Sequence, residues 1–289
     1  MFRCRLCGSK DVFVKYKFSA CSVGYCRQCG FVQVLEKPGR EKLFKDYGEE
    51  YFGRGKYVQD RAIARENKRR IDWLLKNGLK KGVRVLDVGC ATGDFIKASE
   101  NRFDMWGLDI SEFAVEQARL NNPKVSQQIK AGMIEEQVFP DCFFDGIVLW
   151  DVIEHLWNPL EMVNKLVKML KPNGMLAVST PNIGALTARL MGKRWHFMTV
   201  PEHLSFFNRQ TINFLLKTTG LTPVGWMTRG KWVNLGFLMY KINRVFPKLF
   251  PAFLGRWIKE KANVASVVLY LPTGDIQYVA AIKSNESKR

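Results

Sequence analysis

The strongest constraint on the fold is an alternation of short apolar runs with helical segments from Val83 to Asn182. Each unit is roughly 20 to 30 residues long, which is typical of parallel strands joined by crossover helices. Two later apolar runs, at 221–230 and 276–283, predict two final strands. We therefore expect an α/β fold whose ligands bind outside the carboxyl ends of a parallel sheet.

The composition indicates a globular protein that attracts anions. The 289 residues are 47% hydrophobic and 25% charged, which suits one α/β domain with a small appendage. The net charge of +18 predicts attraction to nucleic acid, acidic lipid headgroups or phosphate-bearing substrates. The first residues contain no apolar stretch of signal-peptide length, and no run approaches the roughly 20 apolar residues of a spanning helix. We expect a cytoplasmic location.

Five of the seven cysteines lie in the first 30 residues, and four of these form two closely spaced pairs. Two residues separate Cys4 from Cys7 and Cys26 from Cys29, and a glycine follows each pair. Four thiolates at this spacing can hold a tetrahedral Zn²⁺ with no open coordination position. We expect a structural zinc ribbon over residues 1–40, with free thiols in a small reduced domain as the alternative.

A charged connecting arm is expected between the cysteine region and the sheet. Residues 41–81 are rich in charge and end with apolar residues at helical spacing, which predicts a helix that packs on the next domain. Tyr47 and Tyr51 lie in this arm, where amphipathic side chains can cover a domain junction. The remaining residues, 82–289, form the predicted sheet domain, with an insertion at about 235–262.

A glycine-rich turn follows the first strand of the sheet. The stretch "VLDVGCATGDF" runs from an apolar strand through Asp87 into a turn that contains Gly89 and Gly93 and opens a helix. Glycines let the backbone approach a ligand closely, and the amides of a helix N-terminus lie nearby. The second strand ends in "GLDIS", which places Asp109 where a carboxylate can accept both hydroxyls of a ribose. The spacing lacks the dinucleotide-binding fingerprint and the lysine of a phosphate-binding loop.

Together with "FFDGIVLWDVIEHL" and "LVKMLKPNGMLAVSTPN", these motifs resemble the class I S-adenosylmethionine-dependent methyltransferases, with a ubiquinone-methyltransferase-like core. The resemblance implies a Rossmann-like sheet and S-adenosylmethionine as cofactor. It also implies that Asp87 and the turn glycines surround the methionine moiety, that Asp109 holds the ribose, and that Asp151 lies beneath the methyl group. The full set of implied cofactor-binding residues is Asp87, Gly89, Cys90, Gly93, Asp109, Ile110, Met133, Ile134 and Asp151.

A glutamate–histidine pair follows the fifth predicted strand, in "PEHLSFF". This position lies on the ligand-binding edge, and a histidine there can accept the proton that an acceptor hydroxyl or activated carbon must lose. The zinc ribbon, the arm "LFKDYGEEYF" and this pair together resemble the sugar C-methyltransferases that act on nucleotide-linked keto-sugars. The resemblance implies His203 as base, Glu202 as its partner, and Tyr47 or Tyr51 as an acceptor contact. A loop histidine that supports the pocket is the alternative.

The insertion mixes cations with aromatic residues. Residues 239–262 contain Lys and Arg among Phe, Trp and Leu, and two prolines interrupt them. Such a segment can form a lid over an acceptor pocket or part of the core, or it can lie at a membrane surface with its cations on anionic lipid. A nucleic-acid surface is a third alternative. A membrane contact would favour a lipid-linked glycan as acceptor.

These patterns predict a methyltransferase with a structural Zn²⁺ that acts on a small-molecule or glycan acceptor, such as a nucleotide sugar or surface-polysaccharide precursor. Phosphates on the acceptor would explain the basic charge. The chief alternative is an RNA methyltransferase that carries a zinc module. The stretch "PEHLSFF" is not typical of those enzymes, and the sequence lacks the amine-methylating motif Asn-Pro-Pro-Tyr, so we expect no nucleic-acid partner. A second alternative is a non-enzymatic binding protein with a vestigial pocket.

Overall fold

The computed structural model describes residues 2–39, 60–134, 136, 139–235, 238 and 267–284. Tyr47 and Tyr51 lie outside these residues, as does nearly all of the predicted insertion at 235–262. The predictions for the arm tyrosines and for a lid or membrane contact therefore concern parts of the chain outside the described residues. Among the described residues, no helix is long and apolar enough to cross a membrane.

The regular elements follow the predicted alternation. The strands are β1 (Val12–Lys17), β2 (Ser22–Cys26), β3 (Val32–Val34), β4 (Arg84–Val88), β5 (Asp104–Asp109), β6 (Ile129–Ala131), β7 (Phe144–Trp150), β8 (Leu170–Pro181), β9 (Ser205–Phe206), β10 (Leu221–Asn234) and β11 (Val268–Lys283). The α-helices with described bounds are α1 (Asp60–Lys76), α2 (Asp94–Ser99), α3 (Glu112–Asn121), α4 (Pro159–Met169), α5 (Leu186–Met191) and α6 (Arg209–Thr218).

A seven-stranded sheet forms the centre of the fold, in the order β6-β5-β4-β7-β8-β11-β10. The five strands β6, β5, β4, β7 and β8 are parallel to one another. Strand β11 is antiparallel to β8, and β10 is antiparallel to β11. The predicted α/β class with a Rossmann-like sheet is confirmed. The sheet is mixed because β11, next to β8 near one edge, runs antiparallel to the five parallel strands. Strand β6 was not predicted, since three residues carry too little periodicity to indicate a strand.

The core lies between the large sheet and its helices. Leu86 and Ile147, on the adjacent strands β4 and β7, are fully buried. Leu74 of helix α1 is also fully buried, and the ring of Trp73 lies 5.8 Å from the ring of Tyr278 on β11. Each fully buried leucine-sized side chain stabilises the fold by about 1.5–3 kcal/mol. Helix α1 therefore packs against the large sheet through Trp73 and Leu74.

A second, four-stranded sheet has the order β1-β2-β3-β9, with antiparallel pairing. Its first three strands come from the cysteine region, whereas β9 belongs to the "PEHLSFF" stretch. Val32 pairs with Phe206, and the rings of Phe31 and Phe207 lie 5.1 Å apart in the core. The cysteine region thus shares a sheet and a core with the residues that follow His203. The domain boundaries predicted at residues 40 and 81 stay predictions.

Candidate active site

The turn after β4 is built on left-handed backbone that favours glycine. Gly89 and Gly93 have φ angles of +75° and +80°, and Ala91 between them has a φ of 47°. A Cβ atom at Gly89 would lie 2.5 Å from Val152 Cγ2, and one at Gly93 would lie 2.4 Å from Asn122 Nδ2. A side chain at either glycine would therefore strain the backbone and displace its neighbours. The glycines allow the turn to pack closely against the segment that follows β7 and against the end of α3.

Asp109 ends β5 directly beside this turn. Its Oδ2 accepts a hydrogen bond from Ala91 N at 2.8 Å, and its Oδ1 accepts one from Ser111 N at 2.9 Å. A carboxylate has about four lone-pair sites, so both oxygens keep capacity for the hydroxyls of a ribose. Burial raises the pKa of Asp109, while the backbone N–H groups act to lower it. Met133 and the buried Ile134 follow β6, the neighbouring strand, at the same edge.

Asp87 lies in β4, and its Oδ1 has no hydrogen-bond partner among the described residues. The residue is 2% exposed. Burial raises the pKa of Asp87 to about 8. The negative charge of Asp109 adds to this rise, and the positive charge of Arg70 opposes it. A buried carboxylate stays ionised only where a cation or hydrogen-bond donors stabilise it. The ammonium group of a methionine moiety would supply such a cation, so the unpartnered Oδ1 fits the cofactor that the resemblance implies.

Asp151 follows β7 and has an unusual backbone conformation for a non-glycine residue, with a φ of 58°. Ser179 Oγ donates a hydrogen bond to Asp151 Oδ1 at 3.0 Å, and Arg70 Nη2 donates one to Oδ2 at 3.0 Å. Lys231 Nζ lies 3.7 Å from the same Oδ2. Although burial acts to raise it, Lys231 and Arg70 hold the pKa of Asp151 well below its usual range. A strained residue with an ionised side chain at the ligand-binding edge is consistent with a functional site.

The two cations beside Asp151 were not among the predicted site residues. Arg70 lies in α1 and Lys231 in β10, both remote from β7 in the sequence. One signal for Arg70 exists, because Glu66, Arg70 and Leu74 recur every four residues and therefore share the buried side of the helix. Charged residues on the apolar side of a helix indicate an internal ion pair. No comparable signal marks Lys231.

Glu154 is buried in the short 3₁₀ turn at 153–155, which begins two residues after Asp151. Thr180 Oγ1 donates a hydrogen bond to Glu154 Oε2 at 2.9 Å. Burial, together with the negative charge of Asp151, raises the pKa of Glu154 to about 8. Helix α4 begins only at Pro159, so the turn belongs to the edge of the sheet and not to the helix.

Two histidines lie beside this glutamate. The ring centroids of His155 and His203 are 4.8 Å apart, with an angle of 82° between the ring planes. His155 Nδ1 lies 3.0 Å from Glu202 O, and His203 Nδ1 lies 2.8 Å from Phe197 O. Since a carbonyl oxygen can only accept, each ring carries a proton on Nδ1 and, when neutral, a lone pair on Nε2. Glu202 thus orients His155 through its backbone, and its predicted partnership with His203 stays a prediction.

The four paired cysteines come together in space. The Sγ atoms of Cys4 and Cys29 are 3.6 Å apart, as are those of Cys7 and Cys26, and all four lie within 4.8 Å of one another. Thiolates about 2.3 Å from a tetrahedral zinc would be about 3.8 Å apart, whereas the sulfurs of a disulfide are about 2.05 Å apart. The donor set and its spacing therefore fit a zinc ion.

Arg5 connects the cysteine region with the histidine segment. Its Nη2 donates to Leu204 O at 2.9 Å, and its Nη1 donates to Val34 O at 2.6 Å. Its guanidinium lies 3.7 Å from the centre of the Trp157 ring. Val34 N also donates to Leu204 O, at 2.9 Å. Because Leu204 directly follows His203, the cysteine region supports the part of the site that carries this histidine.

Comparison with known proteins identifies the fold that carries this site. A profile of the methyltransferase-domain family matches residues 57–225, more than half of the chain. The chain belongs to the methyltransferase-domain family. This membership and the relatives below support the predicted enzyme class and the predicted methyl donor. The alternative of a non-enzymatic binding protein is correspondingly disfavoured.

Individual relatives cover only parts of this methyltransferase. It is 38% identical over 104 residues to a "Probable S-adenosylmethionine-dependent methyltransferase" of Mycolicibacterium smegmatis, a match that spans 35% of the chain and 39% of the relative. It is 30% identical over 142 residues to the ubiquinone biosynthesis O-methyltransferase of Xylella fastidiosa, which spans 46% of the chain and 56% of that relative. The matches thus leave much of each relative's length uncovered.

Solved structures confirm the fold. The magnesium protoporphyrin IX methyltransferase of Synechocystis, determined with bound S-adenosylhomocysteine, superposes with a TM-score of 0.57 at 14% identity. The superposition covers 85% of this chain and all of that one. At this identity the likeness shows the fold alone.

The predicted cofactor residues lie along one edge of the sheet. Asp87, Asp109 and Asp151 belong to or follow β4, β5 and β7, which are neighbours in the sheet. Cys90 is buried in the turn, and Ile110 is half-buried after Asp109. The parallel strands therefore bring these residues together as the resemblance implies, while the role of each one stays a prediction.

Proposed function

We propose that this methyltransferase transfers the methyl group to an oxygen or activated carbon of a small-molecule or glycan acceptor, such as a nucleotide sugar or surface-polysaccharide precursor, with His203 as general base. The supporting observation is the hydrogen bond from His203 Nδ1 to Phe197 O at 2.8 Å. This bond puts the lone pair of the neutral ring on Nε2, the nitrogen that can take a proton. The ring lies against His155, in the segment that follows β7.

The reaction needs one proton transfer and one substitution. His203 Nε2 takes the proton of an acceptor O–H or activated C–H, and the electron pair left on that atom attacks the methyl carbon. The bond between the methyl carbon and sulfur breaks, and sulfur keeps the electron pair, which leaves S-adenosylhomocysteine and the methylated acceptor. Positioning supplies much of the remaining rate enhancement. The turn glycines and Asp109 provide that positioning on the cofactor side.

A basic, aromatic groove supports an acceptor that carries phosphate. The groove has a volume of about 480 Å³, and it is lined by Arg65, Lys68, Arg69, Asp72, Arg229, Trp232 and Tyr270. Asp72 pairs with Lys68, and Glu66 pairs with Arg69, so Arg65 and Arg229 are the lining cations without an ion pair among the described residues. The guanidinium of Arg65 lies 4.7 Å from the Trp232 ring, and that of Arg69 lies 5.7 Å from the Tyr270 ring. Arginines bind phosphate in a bidentate manner, and aromatic rings can stack on a base. A nucleotide-linked sugar offers both groups, and a lipid-linked glycan offers the phosphate.

We also propose that Cys4, Cys7, Cys26 and Cys29 hold a structural Zn²⁺. The two Sγ distances of 3.6 Å support this assignment. Four thiolate ligands would close the coordination sphere, so the ion would stabilise the cysteine region and take no part in methyl transfer. Metal analysis of the purified protein before and after Cys26→Ser tests it, and an equal zinc content in both proteins would contradict it.

Transfer of labelled methyl groups to nucleotide sugars, lipid-linked glycans and total RNA tests the acceptor. Label in a sugar fraction supports the proposal, whereas label in RNA would favour the RNA methyltransferase. His203→Ala should lower turnover by about 100-fold or more, because general-base catalysis contributes that much, while the affinity for S-adenosylhomocysteine stays unchanged. His196→Ala is the matched control, since His196 lies in the preceding loop and contacts Asp275, with Nε2 at 3.3 Å from Oδ2. Equal turnover in His203→Ala and wild type would exclude His203 as base.

A further inference from the structure

We propose that Glu154, His155 and His203 form a second metal site, which binds one divalent cation of the type that prefers imidazole and carboxylate ligands. A ligand atom from each of the three side chains lies within 4.8 Å of the other two. Glu154 and His203 are buried, and His155 is half-buried. The site contains no cysteine, so its ligand chemistry differs from that of the cysteine cluster.

The hydrogen bonds around the two imidazoles are those that metal-binding histidines make. A metal-bound histidine usually donates its other ring N–H to a carbonyl or carboxylate, which fixes the ring and its tautomer. His155 Nδ1 donates to Glu202 O at 3.0 Å, and His203 Nδ1 donates to Phe197 O at 2.8 Å. With Nδ1 donating to a carbonyl, each ring would bind an ion through Nε2, and backbone groups hold both rings in place.

The backbone also joins the two segments that carry the ligands. Leu204 N donates to Glu154 O at 2.8 Å, which fastens the residue after His203 to the turn at 153–155. Thr180 Oγ1 donates to Glu154 Oε2 at 2.9 Å and orients the carboxylate. These bonds do not involve a metal, so the three ligands are assembled before an ion binds.

The donor set selects the kind of ion. Two imidazoles and one carboxylate suit Zn²⁺, Mn²⁺, Fe²⁺ or Co²⁺, whereas Ca²⁺ and Mg²⁺ prefer oxygen ligands. Ligands about 2.1 Å from an ion lie about 3.0–4.2 Å apart, depending on their angle. A separation of at most 4.8 Å thus requires only a modest contraction. Three protein ligands leave at least one coordination position for an oxygen of the acceptor.

The role of this ion rests on the proposed methyl transfer, whereas the binding site itself does not. With the ion bound, His203 Nε2 is a ligand, and the coordinated acceptor O–H loses its proton to water because the ion lowers its pKa. The oxygen then attacks the methyl carbon, and sulfur keeps the electron pair of the broken bond. His203 would act as a ligand in place of a proton acceptor, and the two roles predict different effects of Glu154→Gln.

Cobalt binding to the full-length protein tests the site. The protein is stripped with a chelator and loaded with Co²⁺, and the metal content and absorption spectrum are recorded. Wild-type protein should bind one Co²⁺ per chain more than Glu154→Gln or His155→Ala. Thiolate-to-cobalt charge-transfer bands, which Glu154, His155 and His203 cannot give, should be equal in all of them. The matched control His196→Ala, at the remaining one of the three histidines, should bind as much as wild type.

The possible outcomes separate the two proposals. Equal cobalt content in wild type and in both site variants would overturn the metal site. Unchanged S-adenosylhomocysteine binding in the variants would show that a loss of cobalt does not come from unfolding of the sheet domain. A chelator also strips the cysteine cluster, so the activity measurement compares Glu154→Gln with wild type. Wild-type turnover in Glu154→Gln would exclude a catalytic role for the ion and leave His203 as the base. Cobalt binding without methyl transfer to any tested acceptor would contradict the proposed function alone.

Discussion

The pH dependence of cofactor binding should report the ionisation of Asp87. Burial raises its pKa to about 8, so the carboxyl is largely protonated in the free protein at neutral pH. We expect the cofactor to place its ammonium group beside Oδ1, and this contact favours the carboxylate. Below pH 8 the protein must therefore release a proton when the cofactor binds. The affinity should rise with pH up to about 8 and then level off.

The magnitude follows from the pKa. A group with a pKa of about 8 is about 1% ionised at pH 6 and half ionised at pH 8. If the carboxylate is ionised throughout in the complex, the affinity rises about 50-fold over this range, or about 2.3 kcal/mol. Proton release should fall from about one per cofactor at pH 6 to about one half at pH 8.

Calorimetric titration of S-adenosylhomocysteine at pH 6, 7 and 8 measures both quantities, when each titration is repeated in buffers of different ionisation enthalpy. Asp87→Asn is the matched variant, because it keeps the shape and removes the titration. It should bind more weakly at pH 8 and show little dependence on pH. A wild-type affinity that changes less than about 2-fold between pH 6 and 8, or binding without proton release, would refute the reasoning.

Further predictions concern the supports of the site. Gly89→Ala should weaken cofactor binding and lower the free energy of unfolding by about 1–2 kcal/mol or more, because alanine is strained at a φ of +75°. Calorimetry measures the binding, and thermal unfolding measures the stability. Arg70→Met should cost about 3–5 kcal/mol of unfolding free energy, because it leaves Asp151 with less compensation, and Arg70→Met/Asp151→Asn should recover part of that loss in urea unfolding. Arg5→Ala removes a donor from Leu204 O and should lower the free energy of unfolding by about 1–3 kcal/mol. Turnover should fall while the affinity for S-adenosylhomocysteine stays unchanged, and an equal loss of turnover and affinity would show general unfolding.

Local patterns predicted which residues meet at the ligand-binding edge of the large sheet. The turn glycines and Asp109 lie at the ends of apolar runs, and parallel pairing brings such ends to one edge regardless of the connections between them. Arg70 and Lys231 escaped prediction because their contacts with Asp151 depend on how α1 packs and on the antiparallel edge. The spacing of Glu66, Arg70 and Leu74 indicates an internal ion pair but not its partner, and no local pattern marks Lys231. The sequence likewise indicated His203 by its position, but not Glu154 as its neighbour, because the two segments meet only through tertiary hydrogen bonds.

The division of the site between two sheets has a consequence for the cysteine region. The cofactor residues belong to the large sheet, whereas β9, which directly follows the His203 segment, pairs with β3 of the cysteine region. Disruption of the cysteine cluster by Cys26→Ser should therefore loosen the acceptor side and leave the cofactor side in place. Turnover with a saturating donor should fall while the affinity for S-adenosylhomocysteine changes little. A parallel loss of both would mean that the cysteine region stabilises the whole fold, since Phe31 packs on Phe207 within the main core.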